Sequence, residues 1–318
     1  MSDRPETAFY CVADARYFLG AVGLVNSLRL VGHDEPVFVL DRGLSASQRE
    51  LLSGSATLVE APADVAPWLA KTVAPARHPA RAMVLIDADM IATRSLSPLI
   101  ERALEGAVVA FENESDRYVA EWGDLLDLPP PRRERYVSSG LFVLGGHEGA
   151  EVLALLDDRQ RRVDVEAGLY GRDDAGYAFR YPEQDVLNAI LDSRPDPGRV
   201  QRLPSRLAAT PPYTRLRVRD LRALRCAYAD GAEPYVIHQF VRKPWLERMH
   251  HSVYSQLLAR LLCRDDVAIR VPEAAVPHRL RRGVVPSLER VALSARDLSR
   301  WYAGEAARRV RGRAGRAG

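Results

Sequence analysis

Residues 83–91 read MVLIDADMI, an apolar run that carries two carboxylates, Asp87 and Asp89. A carboxylate withdrawn from water is costly unless a cation or a full set of hydrogen bonds accompanies it. The run therefore needs a compensating feature: a solvent-facing strand end, a basic partner or a bound cation. Residues i and i+2 of a strand point the same way, so both carboxylates can approach one ion. Hard cations such as Mg²⁺ and Mn²⁺ take oxygen ligands, commonly one or two carboxylates plus substrate phosphates. The plainer alternative has Asp89 capping the following turn and Asp87 paired with an arginine.

The flanking sequence alternates strand and helix signals. Residues 9–13, 36–40, 57–60, 81–86, 107–111 and 140–144 read as short buried strands. Residues 17–30 carry apolar side chains on more than one helical face, with Gly32 as a stop, and Ser45 is placed to cap a second helix over 45–53. This alternation predicts an α/β domain with a mainly parallel sheet, in which ligands bind beyond the carboxyl ends of the strands. Asp87 and Asp89 fall at such an end. Residues 112–135, interrupted by LPPPRRER, read as a polar excursion or a mobile loop over the site, and 163–181 as a second irregular stretch.

Bulk composition narrows the function class. The 318 residues are 47% hydrophobic and 27% charged, as expected of a globular protein. Three scattered cysteines, Cys11, Cys226 and Cys263, suit neither a disulfide framework nor a zinc site and fit a reducing cytoplasm. The first residues are acidic before they are apolar, unlike a secretory signal, and no apolar run reaches membrane-spanning length. The net charge of +3 is uneven: residues 279–318 hold eleven arginines against three acids, so the body is mildly acidic. That balance argues against a nucleic-acid groove. Lysine occurs only at 71 and 243. Past Pro272 the composition turns to Arg and Ala, which divides the chain into a domain over 1–271 and a tail over 272–318. In the tail, Leu288, Val291, Ala295, Leu298 and Tyr302 fall at helical spacing among arginines. Such a helix suits an anionic membrane surface or packing on the domain.

Two more segments bear polar clusters. YPEQDVLNAIL (181–191) sets Glu183, Gln184 and Asp185 at a helix start, where acids also favour the macrodipole. YVIHQFVRKPW (235–245) offers His238 after a short strand, followed by Lys243: a neutral metal ligand and a phosphate-binding ammonium. With VADARYFLGAVGLVNSL, MVLIDADMIATRSLSPL and SSGLFVLG, these motifs in this order resemble the family 8 glycosyltransferases, retaining nucleotide-sugar transferases of the GT-A fold. The resemblance runs from about residue 7 to about 262.

The resemblance implies a Rossmann-like GT-A domain with a basic helical C-terminal extension. Asp87, Asp89 and His238 would hold Mn²⁺ or Mg²⁺; Asp14 and Tyr17 would contact the uracil of a UDP-sugar, and Ala88 the ribose region. Lys243 would hold the diphosphate and Ser138 would lie near donor and acceptor. Glu183, Gln184 and Asp185 would flank the reacting face of the sugar. The acceptor would be a glycan, a lipid-linked sugar or a small molecule, met in the cytoplasm or on the inner face of the membrane. This sequence departs from the family pattern in three places. Its His-to-Lys interval is one residue shorter and lacks a glycine, Ser138 replaces an asparagine, and Glu183 replaces an aspartate. A haloacid-dehalogenase-type phosphohydrolase also places D-x-D after an apolar strand, but has Thr or Val where Ile91 stands. A degenerate nucleotide-sugar-binding or membrane scaffold protein is the non-enzymatic alternative.

Overall fold

The computed structural model describes residues 4–63, 65–247 and 252–281, so the expected tail helix lies outside the described residues. The elements that build the domain are, in chain order, β1 (Thr7–Ala13), α1 (Phe18–Leu30), β2 (Val37–Asp41), α2 (Ala46–Ser53), β3 (Thr57–Glu60), α3 (Val73–Arg77), β4 (Ala82–Ile86) and β5 (Met90–Ala92). After these come α4 (Ser97–Leu104), β6 (Val108–Glu112), α5 (Trp122–Leu126), β7 (Val137–Gly145), α6 (Gly146–Arg159) and α7 (Pro182–Asp192). The chain continues through β8 (Val200–Leu203), β9 (Ala208–Ala209), the hairpin β10 (Arg217–Asp220) and β11 (Arg225–Ala227), β12 (Val236–His238) and α8 (Val253–Cys263).

Seven strands form the central sheet in the order β3-β2-β1-β4-β7-β6-β8. All neighbours are parallel except β7, which runs antiparallel to β4 and β6. Helical and loop segments cover both faces of the sheet's middle, so β1 and β4 are apolar along nearly their whole length and alternate residues feed two separate cores. Phe9, Cys11, Val84 and Ile86 enter one core, whereas Ala8, Tyr10, Met83 and Leu85 enter the other. Helix α1 is buried on every side from Phe18 to Leu28, which explains its lack of a polar face. The anticipated Ser45 cap forms a full capping box with Gln48.

The polar stretch 112–135 is more ordered than its sequence suggests. It contains α5, whose Trp122 is fully buried, and Arg117, which bonds Asp185. At the other end, Val276 and Leu280 join the same core as α1, so packing continues to Leu280. Among the described residues no helix is long and apolar enough to cross a membrane.

A small second sheet, β5-β12-β9, lies at the carboxyl end of β4 and carries His238 to the D-x-D turn. Buried Asn26 ties the C-terminal segment to α1: its amide donates to Leu261 O (3.0 Å) and Ile269 O (2.9 Å) and accepts from Ile269 N (2.7 Å). Removing it strands buried backbone groups, each costing roughly 1–3 kcal/mol. Asn26→Ala should lower unfolding stability by about 2–4 kcal/mol in urea denaturation; a change below about 0.5 kcal/mol would show that the staple carries no weight.

Candidate active site

Strand β4 ends at Ile86, so Asp87 and Asp89 stand on the turn at the strand end, where the sequence places them. The turn is closed by Met90 N donating to Asp87 O (3.0 Å) and anchored by Asp87 N donating to Gly140 O (2.9 Å). Across from it, β7 bulges: its pairing with β6 jumps from Ala110–Phe142 to Phe111–Ser138. The displaced residues face the turn, a common use of bulges beside binding sites. Gly140 permits this approach, since a Cβ there would stand 2.6 Å from Met90 Cε and 2.9 Å from His238 Cε1. Gly20 does the same from α1, where a Cβ would meet Ala88 O at 2.7 Å.

These elements bring Asp87, Asp89 and His238 together, with one ligand atom of each within 4.8 Å of the others. His238 Nε2 lies 3.2 Å from Asp89 Oδ1 and 3.7 Å from Asp87 Oδ2. Two ligands held about 2.1 Å from one cation at right angles stand roughly 3 Å apart, so the donor set fits a hard divalent ion. Burial alone pushes the Asp89 carboxyl up, but neighbouring His238 and Lys243 outweigh it and hold it well below the usual range.

Both lysines of the chain converge here. Lys71 Nζ donates to Ser139 O (2.7 Å) and forms ion pairs with Asp87 Oδ1 (2.7 Å) and Glu183 Oε1 (2.9 Å). Burial alone pulls this ammonium down, yet the two carboxylates prevail and raise it. Lys243 Nζ bonds Asp89 Oδ2 and Gln239 O and lies 5.5 Å from the Tyr17 ring centre. A lysine ammonium is a compact point charge with three rotatable donors, whereas a guanidinium spreads its donors in one plane.

The remaining predicted residues take distinct places. Asp14 closes the turn before α1, its Oδ1 accepting from Arg16 N and Tyr17 N, both at 2.8 Å. Tyr17 is held edge-on to Trp245, whose Nε1 donates to Arg16 O (2.7 Å). Ala88 is buried in the D-x-D turn. Ser138 Oγ accepts from Gly140 N (3.2 Å), and Gln184 Oε1 accepts from Ser139 N (3.1 Å), so both brace the bulge. Asp185 is buried among Arg117 (2.9 Å), Tyr136 OH (2.5 Å) and Tyr181 N (2.9 Å), with burial raising its carboxyl. It anchors the start of α7 and leaves Glu183 as that helix's acid against Lys71.

Sequence reasoning did not find Lys71, Gly140, Arg117 or Tyr213, whose hydroxyl donates to His238 O (2.9 Å). For Lys71 the signal was its rarity. The others depend on long-range contacts that no local pattern marks.

Comparison with known proteins adds the fold. No family model and no curated protein matches the chain. Solved structures do match: an active-site mutant of LgtC aligns over 84% of this chain and 98% of its own, at 16% identity and a TM-score of 0.53. The bifunctional glycosyltransferase WbbM, in its apo form, aligns over 81% of this chain at 15% identity and a TM-score of 0.53. The fold is that of the GT-A glycosyltransferases. The galactosyltransferase LgtC in complex with donor and acceptor sugar analogs aligns over 84% of this chain, at 15% identity and a TM-score of 0.50. The matched region spans only 50% of the WbbM chain. On this GT-A scaffold the sheet is mostly parallel, and the acidic cluster sits beyond the carboxyl end of β4.

Glu183 provides a test of the electrostatics. Burial first, then the Asp87 charge, raise its carboxyl from 4.5 to about 7 despite the opposing pull of Lys71. A native pKa above the unfolded one means that the folded state holds the extra proton between these values. Stability is therefore lost as pH rises from about 4.5 to about 7. Melting curves from pH 5 to 7.5 should show the wild type falling relative to Glu183→Gln; parallel profiles would contradict the shift.

Proposed function

We propose that this chain is a metal-dependent, retaining glycosyltransferase of family 8 type that transfers a hexose from a UDP-sugar to a glycan, lipid-linked or small-molecule acceptor. The observation that carries the reading is the Asp87–Asp89–His238 donor set, flanked by Lys71 and Lys243 on a GT-A scaffold. Catalysis is assigned to residues 1–271, with the stretch to Leu280 packed on that unit. The remainder of the expected tail, beyond residue 281, is proposed to meet an anionic membrane surface on the cytoplasmic side.

Asp87, Asp89 and His238 would hold Mn²⁺ or Mg²⁺, which when bound supplies Lewis-acid stabilisation to the departing diphosphate. Lys243 adds a compact positive charge for the same phosphates. Tyr17, gripped by Trp245 and the Asp14 turn, presents a ring for the uracil base, and Ala88 lies at the ribose. Gln184 and Glu183 position the sugar from the start of α7, with Ser138 bracing the opposing bulge. Asp185 acts through Arg117 and Tyr136 as a positioning residue. In the transfer, the acceptor oxygen bonds the anomeric carbon as the bond to the phosphate oxygen breaks. The acceptor proton passes to the leaving diphosphate, and attack from the same face gives retention.

Addition of UDP with Mn²⁺ should raise the melting temperature by several degrees, with little effect from UDP alone. Asp89→Asn should remove that shift and reduce UDP release from a panel of UDP-sugars by at least 100-fold. A wild type insensitive to UDP and Mn²⁺, or a fully active Asp89→Asn, would refute the proposal. Hydrolysis of a generic phosphomonoester would favour the phosphohydrolase, and UDP-sugar binding without turnover the scaffold protein.

A further inference from the structure

A cavity of about 710 Å³ lies between the β10–β11 hairpin and the end of α8, and it shares no lining residue with the D-x-D site. Four arginines and three aspartates line it. Two of the aspartates are engaged within the protein. Asp220 Oδ1 accepts from Arg222 N (2.8 Å) and Ala223 N (3.0 Å), which shapes the hairpin turn, and Asp266 Oδ2 accepts from Arg260 Nη2 (2.9 Å).

The arginines are largely unspent. Arg219, Arg222 and Arg264 are exposed, and among the described residues their side chains make no hydrogen bond or ion pair. The hairpin's other arginines are satisfied, Arg225 by Glu233 (2.6 Å) and Arg217 by Leu216 O (3.3 Å). Arg260 is the buried member of the lining, only 5% exposed. Its Nη2 also reaches Arg222 O (3.4 Å), but its Nη1 has no hydrogen-bond partner. A buried guanidinium nitrogen without an acceptor is costly, and an anion drawn to the cavity offsets part of that cost.

Both walls are fixed. Leu216 and Leu224 root the hairpin in the core beside Leu257 and Leu261 of α8. Beyond α8, Asp265 O accepts from Arg270 Nε (3.2 Å) and Nη2 (2.9 Å), next to the Ile269 that Asn26 holds. A ligand entering here does not have to order the backbone around it.

We propose that this cavity binds a phosphate group, gripped by Arg219, Arg222 and Arg264 above the buried Arg260. A tetrahedral phosphate offers several acceptor oxygens, which guanidinium forks meet with charge-assisted bonds. Four guanidiniums against three carboxylates, two of them engaged, favour an anion over a cation. Leu221, 41% exposed on the lining, adds an apolar contact for an organic substituent on that phosphate. Cys263 Sγ donates to Leu280 O (3.3 Å), so the arginine-rich residues past 281 start near the same helix end. Like charge disfavours them as occupants. A soluble phosphate and an anionic lipid headgroup both present the required chemistry.

The test is calorimetric titration of inorganic phosphate into the full chain, with UDP and Mg²⁺ present and ionic strength constant. The wild type should bind, and Arg222→Gln combined with Arg264→Gln should weaken binding about tenfold, with the melting temperature within about 2 °C. Arg219→Gln alone should weaken it about threefold. Flotation with phosphatidylcholine vesicles, with and without phosphatidylglycerol, separates the sources. Loss of phosphatidylglycerol-dependent flotation in the double variant assigns the phosphate to a lipid headgroup. Unchanged flotation with weakened inorganic phosphate binding assigns it to a soluble phosphate. A wild type that binds neither probe, or variants that match the wild type with both, would overturn the site.

Discussion

Three carboxylates, Asp87, Asp89 and Glu183, meet at one largely buried mouth, and two lysines keep them there. Lys71 pairs with Asp87 and Glu183 and donates to the Ser139 carbonyl, and so ties the D-x-D turn, the start of α7 and the β7 bulge into one unit. Removing one partner from a buried ion pair costs roughly 3–5 kcal/mol, because the other charge is left uncompensated. The acidic cluster therefore depends on both ammoniums staying in place, or on a cation or a proton at Glu183 taking a share of the charge.

The rest of the architecture serves that arrangement by allowing close approach. Gly140 lets β7 reach His238, and Gly20 lets α1 reach the backbone of the D-x-D turn. Tyr213 holds the strand that carries His238 by bonding its carbonyl and the Gln239 side chain. Asn26 fixes α8 and Ile269 against α1, the helix that begins beside Tyr17. On the far side, Arg117 and Tyr136 lock Asp185, so α7 enters the site at a set angle. Rigid framing of this kind suits a site whose ligands must meet one small ion.

Much of this was legible in the sequence. The strands at 7–13, 37–41, 57–60 and 82–86 were visible because each is an apolar run between turn residues, and the Ser45 cap because its partner Gln48 is local. The Asp pair stood out as charge within an apolar run. What stayed hidden depends on contacts distant in sequence. Trp122 in its proline-rich surroundings looked like surface, yet it is buried against Tyr136 and donates to Ala178 O (2.9 Å). The sequence placed both aspartates at the end of the strand over 81–86, and the chain turns there, since Met90 starts β5 and pairs with His238. Lys71 sits sixteen residues before the motif and carries no local signature beyond its rarity.

The central claim is that the two aspartates and His238 form a cation site that shares its charge with the lysines. The most direct measurement is anomalous diffraction from a crystal of the full chain grown with UDP and Mn²⁺. The account predicts one manganese peak within about 2.3 Å of Asp87, Asp89 and His238, with Lys243 drawn from Asp89 towards the phosphates. A peak elsewhere, or none while Lys243 remains on Asp89, would contradict it.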